Sequence, residues 1–134
     1  MRWKRITSAT VLVLAPFLLV AACGESAFER KAGSAAAEMA AASSTLKAVH
    51  QGRMPARYAK ASFANFDEQL SGVSDELAMA PGAPKPDRLK ALLELTKKAE
   101  QAVGRPCLDQ RCDWVSQSRD LDSAAAALRD ASGG

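Results

Sequence analysis

Apolar residues recur at intervals of three and four along most of the chain, a spacing that places them on one face of an α-helix. In residues 26–51 the steps between them are 4, 3, 4, 3, 4 and 3, and residues 55–80 also advance by threes and fours. Each segment therefore predicts one amphipathic helix. The predicted inward positions are Phe28, Ala32, Ala35, Met39, Ala42, Leu46 and Val49, followed by Ala56, Ala59, Phe63, Phe66, Leu70, Val73, Leu77 and Ala80.

Glycine and proline separate the predicted helices. Gly52 and Pro55 form a short turn after the first helix, and residues 81–86, which contain three prolines, cannot continue the second. Further helical patterns cover residues 86–103 and begin again at Trp114, where Asp113 is placed to cap the helix. Four amphipathic helices with short loops predict an all-α fold, an antiparallel up-down four-helix bundle of two helical hairpins.

The start of the chain follows a different pattern. Arg2, Lys4 and Arg5 form a basic segment, and an apolar run follows from Val11 to Ala22. The stretch Val20-Ala21-Ala22-Cys23 resembles the lipobox of bacterial lipoproteins, in which an aliphatic and two small residues precede a lipidated cysteine.

This resemblance implies that residues 1–22 are a cleaved lipoprotein signal peptide and that residues 23–134 form a single helical-bundle domain. It also implies that Cys23 is acylated, and more than one acyl chain is needed for stable attachment to a bilayer. The expected location is the cell membrane, with the domain lipid-anchored outside the cytoplasm. In a Gram-negative cell, Gly24 after the cysteine favours the periplasmic face of the outer membrane.

Charge excludes one class of partner. The whole chain has 18 basic and 15 acidic residues. Three of the basic residues lie in the signal peptide and none of the acidic ones do, so the remaining domain is formally neutral. Because nucleic-acid binding depends on an excess of basic residues, no nucleic-acid partner is expected.

The residues that could support catalysis or hold a metal are few. His50 is the only histidine, and it is expected to be a solvated residue near a helix end. Cys107 and Cys112 have neither redox-motif spacing nor a neighbouring histidine, so a disulfide is expected in an oxidising compartment. The sequence thus predicts no catalytic site, no metal and no cofactor.

One charge pattern stands out in the first hairpin. Residues 39–66 contain no acidic residue. Cations just before the turn are explained by the helix dipole, but those at the start of the next helix are not. The turn is therefore a candidate partner-binding region, comprising Lys47, Arg53, Arg57, Tyr58 and Lys60.

Two arrangements of this turn remain open. The first hairpin has longer helices than the second, so its end could project and leave apolar side chains uncovered beside the cations. Alternatively, residues 105–112 could fold over that end and complete the core. The side chains that decide between them are Leu46, Val49, Met54 and Tyr58.

The sequence favours a non-enzymatic adaptor that binds another envelope protein or an anionic envelope component, while the acylated Cys23 holds it to the lipid bilayer. A carrier of a small ligand or cofactor within the bundle is the alternative, and a structural spacer is a third.

Overall fold

The computed structural model describes residues 24–133, and every regular element in that range is a helix. The prediction of an all-α fold is confirmed, since the helices pack together around a shared core. The predicted signal peptide and Cys23 lie outside the described residues. None of the described helices is both long and apolar enough to cross a bilayer. The helices are α1 (Ala27–His50), α2 (Ala56–Leu70), α3 (Val73–Met79), α4 (Pro86–Gly104) and α5 (Trp114–Ala131).

Polar caps begin two of the helices. At α1 the side chain of Ser26 accepts a hydrogen bond from the backbone N–H of Glu29 at 3.0 Å. At α5 the side chain of Asp113 accepts from the N–H of Ser116 at 2.9 Å, which confirms the predicted cap. These caps satisfy backbone donors that the first turn of a helix leaves unpaired.

The single helix predicted for residues 55–80 is wrong, because the chain breaks between α2 and α3. Gly72 has a φ of 77°, a left-handed conformation that glycine adopts at little cost. A carboxylate from α4 then caps α3: Glu100 accepts hydrogen bonds from the backbone N–H and the hydroxyl of Ser74, at 2.8 and 3.1 Å. Leu70 and Val73, on either side of the break, are both buried. The apolar spacing therefore runs through the break without interruption.

The core lies along α1, whose predicted apolar face is buried from Phe28 to Leu46, with Val49 partly buried. Alanines line much of the contact between α1 and α5, so the two helices approach closely. A Cβ placed on Gly33 would lie 3.6 Å from the Cβ of Ser132. Ala56 is exposed, against prediction, because it is the first residue of α2 beside the turn.

Contacts distant in sequence define the two ends of the molecule. At one end the N–H of Phe28 donates to the carbonyl of Pro81 at 3.1 Å, which joins the start of α1 to the loop after α3. At the other end the ring of His50 stacks on Trp114, which joins the end of α1 to the start of α5. The turn at residues 51–55 and the cysteine loop therefore share one end.

Candidate functional site

The segment that leads into the cysteine loop is fastened across the end of α1. The carbonyl of Cys107 accepts a hydrogen bond from His50 Nε2 at 2.6 Å, and the N–H of Cys107 donates to Gln117 Oε1 at 2.7 Å. Gln117 Nε2 donates in turn to the carbonyl of Arg105 at 2.9 Å. Side chains from α1 and α5 thus hold the same three-residue stretch.

His50 has a structural role that the sequence did not indicate. Its ring is half-buried and stacks on Trp114, with the centroids 4.6 Å apart and the planes within 4°. Because a carbonyl oxygen only accepts hydrogen bonds, Nε2 must carry the proton in the bond to Cys107. The interpretation of His50 as a solvated residue was therefore wrong.

Cys107 and Cys112 form the expected disulfide, with their Cα atoms 5.7 Å apart. Inside the loop, the N–H of Arg111 donates to Asp109 Oδ1 at 2.8 Å. The two sulfurs and the Asp109 carboxylate lie within 4.8 Å of one another, close enough to share a metal ion. Disulfide sulfurs are not thiolates, however, and the thiolate is the form that binds a metal.

Reduction of this disulfide is expected to lower the free energy of unfolding by about 2 kcal/mol, since the closed ring is short. The domain should stay folded, because His50 and Gln117 hold Cys107 through bonds that do not involve sulfur. Thermal melts followed by circular dichroism, with and without a phosphine reductant, measure the loss. Unfolding on reduction at room temperature would contradict this prediction.

The two arrangements left open by the sequence are distinguished by burial at this end. Leu46 is fully buried, and Val49 and Met54 are partly buried against the core. The uncovered arrangement therefore fails at Leu46 and is met only in part at Val49 and Met54. Leu108, from the cysteine loop, packs against the same core. Of the four side chains, Tyr58 is the one that fully matches the uncovered arrangement, with 58% of its surface exposed.

One of the predicted binding cations is already engaged. Lys47 Nζ lies 2.7 Å from Asp122 Oδ2, which joins α1 to α5. Partial burial raises the pKa of Asp122, but the hydrogen bonds from Lys47 and Ser43 outweigh it, and the net pKa lies below the ordinary value. Lys47 therefore links α1 to α5 and shares its charge with Asp122.

Arg53, Arg57 and Lys60 are exposed around the turn. The guanidinium of Arg53 donates to Gln51 Oε1 at 3.1 and 2.5 Å, so its bonds there involve no carboxylate. The guanidinium carbon of Arg57 lies 5.1 Å from the ring centroid of Tyr58. This is a cation–π contact that leaves the charge accessible.

The cysteine loop adds two cations that the sequence analysis did not include. Arg105 and Arg111 are both exposed and lie at the same end as the turn. Their only signal in the sequence is their position near the two cysteines, since Arg105 lies two residues before Cys107 and Arg111 directly precedes Cys112. We call the five exposed cations at this end the basic tip, which comprises Arg53, Arg57, Lys60, Arg105 and Arg111.

Three acids lie near the basic tip: two have local partners, and the third, Asp67, lines the same groove as Lys60. Asp109 accepts the backbone N–H of Arg111, and Asp113 caps α5. The ion pairs within residues 24–133 join Lys31 to Glu76 and Lys47 to Asp122, so none of them involves the basic tip. Five cations against these three acids leave a local positive excess, which attracts anionic groups.

A groove of about 330 Å³ runs between α2 and the cysteine loop, beside the basic tip. Lys60 and Asp67 lie along it with apolar side chains that include Phe63, Pro106 and Leu108. An apolar surface next to exposed charge is a common form of protein interaction site. The geometry suits an extended segment that carries acidic and apolar side chains.

No known protein family, no curated protein and no solved structure matches this chain.

Proposed function

We propose that this protein is a lipid-anchored, non-enzymatic adaptor whose basic tip binds an anionic surface of another envelope component. Acylated Cys23 holds the domain to the outside face of the cell membrane, which is the outer membrane in a Gram-negative cell. The observation that carries the proposal is the clustering of five exposed cations from the turn, the first turns of α2 and residues 105–111 at one end, where they outnumber the three nearby acids.

The proposed domain is an antiparallel up-down bundle, with the basic tip at the end away from the lipid. Two contacts support this arrangement of α1 and α5. The beginning of α1 at Gly33 lies beside Ser132, near the end of α5, and the end of α1 at His50 lies beside Trp114, where α5 begins.

The choice of an anionic partner follows from the kind of charge at the basic tip. Four of the five cations are arginines, whose planar guanidinium donates to both oxygens of a carboxylate or phosphate. Because the side chains are exposed, their attraction for a partner should weaken as salt is added. The groove adds apolar area beside them at Pro106 and Leu108, which are both partly exposed.

A pull-down of envelope proteins is the direct test. Lipidated protein is incubated with detergent-solubilised envelopes of its native host, either as wild type or with Arg53, Arg57 and Lys60 all changed to glutamate. Lys47 is left unchanged because its reversal would break the ion pair with Asp122. Recovery of a bound partner is expected to fall by about tenfold or more in the triple variant, since like charges then face one another.

The matched control reverses three exposed cations on α4 that lie outside both the basic tip and residues 79–86, namely Lys90, Lys97 and Lys98. It changes the net charge by the same amount and should leave recovery unchanged. Equal loss of partner recovery in both variants would mean that net charge alone causes the effect. Equal recovery in all three samples would remove the basic tip from the function, and a bound small molecule with no protein partner would favour the carrier.

A further inference from the structure

The loop between α3 and α4, residues 79–86, is fixed to the start of α1. The carbonyl of Pro81 accepts a hydrogen bond from the N–H of Phe28 at 3.1 Å. Gly82, with a φ of 89°, packs so closely against Ser26 that a Cβ would overlap that side chain. The loop and the first turn of α1 therefore form one rigid end.

The length of the intervening chain places this end close to Cys23. Ser26 lies three residues after Cys23, and three fully extended residues span roughly 10 Å. The polar interfacial layer of a bilayer is about 5–7 Å thick on each side. A lipid on Cys23 would thus keep residues 79–86 at or just above the lipid headgroups.

The exposed surface of this loop is apolar. Met79 has 81% of its surface exposed, more than the other exposed large apolar side chains of the described residues, Tyr58 and Val115. Pro81, Ala83 and Pro86 are also exposed, and Lys85 is the only charged residue in the loop. Three prolines limit its backbone freedom, so little conformational entropy is lost when the loop is held against a surface.

The charges that flank the loop nearly balance. Arg30, Lys85, Arg88 and Lys90 are countered by Glu25, Glu29 and Asp87 in the same part of the molecule, and Lys31 is paired with Glu76. This end therefore lacks the positive excess of the basic tip, and electrostatics give it little preference among lipid headgroups. An apolar contact with the bilayer suits this composition better than an anionic protein partner does.

We propose that residues 79–86 form a second contact with the membrane, in which Met79 enters the interfacial layer beside the lipid on Cys23. The inference rests on the acylation of Cys23 that the proposed function includes. Two contacts at one end fix the orientation of the domain as well as its location. With α1 of 24 residues directed away from the bilayer, the basic tip stands about 36 Å from it.

Fluorescence quenching by brominated lipid tests this contact. Lipidated protein carrying Trp114→Phe and Met79→Trp is purified from membranes, checked by intact mass for acylation and for loss of residues 1–22, and placed in phosphatidylcholine vesicles. Bromine on the acyl chains is expected to reduce the tryptophan emission about twofold, as for a side chain inside the interfacial layer. Addition of phosphatidylglycerol should change this little.

The matched control carries its reporter at the basic tip, as Tyr58→Trp in the same Trp114→Phe background. Its emission should be unaffected by bromine. Hydroxyl-radical oxidation of wild-type Met79 gives a second readout that needs no substitution. The oxidation should be slower when the protein is bound to vesicles than when it has been cleaved after Cys23 and released without detergent.

Each outcome separates the membrane contact from the anchor. If the protein floats with vesicles but the Met79→Trp reporter is not quenched, the contact is wrong and the anchor stands. If the reporter emission is blue-shifted but bromine does not quench it, the loop is covered by protein, either a second copy or another segment. That result also overturns the proposal. A protein that carries no acyl chain and does not float refutes the anchor and the contact together.

Discussion

Leu46→Asp is expected to unfold the domain at room temperature. Leu46 is fully buried near the end of α1, and a carboxylate placed there would have no obvious partner. Burial of an unpaired charge costs several kcal/mol, which is a large part of the roughly 5–15 kcal/mol by which such domains are stable. Far-UV circular dichroism and urea titration measure the loss.

Tyr58→Glu is the matched control, since it places the same type of charge at the same end of the molecule on a side chain that is 58% exposed. Its free energy of unfolding should stay within about 0.5 kcal/mol of wild type. Leu46→Ala should lie between the two, with a loss of about 2–5 kcal/mol. Wild-type stability in Leu46→Asp would mean that the cysteine loop leaves the end of α1 open.

The second large effect is expected from Gly82→Ala. The φ of 89° at Gly82 is already unfavourable for alanine, by roughly 1–2 kcal/mol. The added Cβ would also overlap Ser26, whose side chain caps α1. Displacement of the loop or the cap adds about 1–3 kcal/mol, as for an overpacked core, so the free energy of unfolding should fall by about 2–5 kcal/mol.

Gly52→Ala separates the two causes. Gly52 has a φ of 72°, but a Cβ there would meet no atom within 4 Å. Its substitution should therefore lower the free energy of unfolding only by the cost of a left-handed backbone for alanine, about 1–2 kcal/mol. The same thermal or urea titration measures this loss. Equal losses for the two variants would show that Ser26 yields to the methyl group and that the loop is not fixed to α1.

The apolar spacing was sufficient to predict the helices and most of the core. A buried helical face requires apolar residues at every third or fourth position, so the buried side chains of α1 could be identified before the fold was known. The same spacing concealed the break at Gly72. Leu70 and Val73 both face the core, so the pattern is the same whether or not the helix is continuous.

Three of the five cations of the basic tip could be found from the sequence. Arg53, Arg57 and Lys60 are close together in the chain, and the absence of acids around them is visible without a structure. The role of Lys47 was not visible, because its partner Asp122 lies 75 residues away. Arg105 and Arg111 also join the site only through the fold.

The anchor at Cys23 remains a prediction from local sequence. It depends on the four residues of the lipobox and the apolar run before them, which lie outside the described residues. The acyl chain and the cleavage site can be read from the intact mass of the purified protein.

The sequence by itself determined the helical class, most of the buried face of the first two predicted helices, the disulfide partners and the cations of the turn, because each follows from spacing or composition within a short stretch. Only the tertiary structure decided which loops meet. Those contacts depend on how the helices pack: the hydrogen bonds of His50 and Gln117 close one end, and the approach of Gly82 to Ser26 closes the other. The same packing separates a basic end from an apolar end.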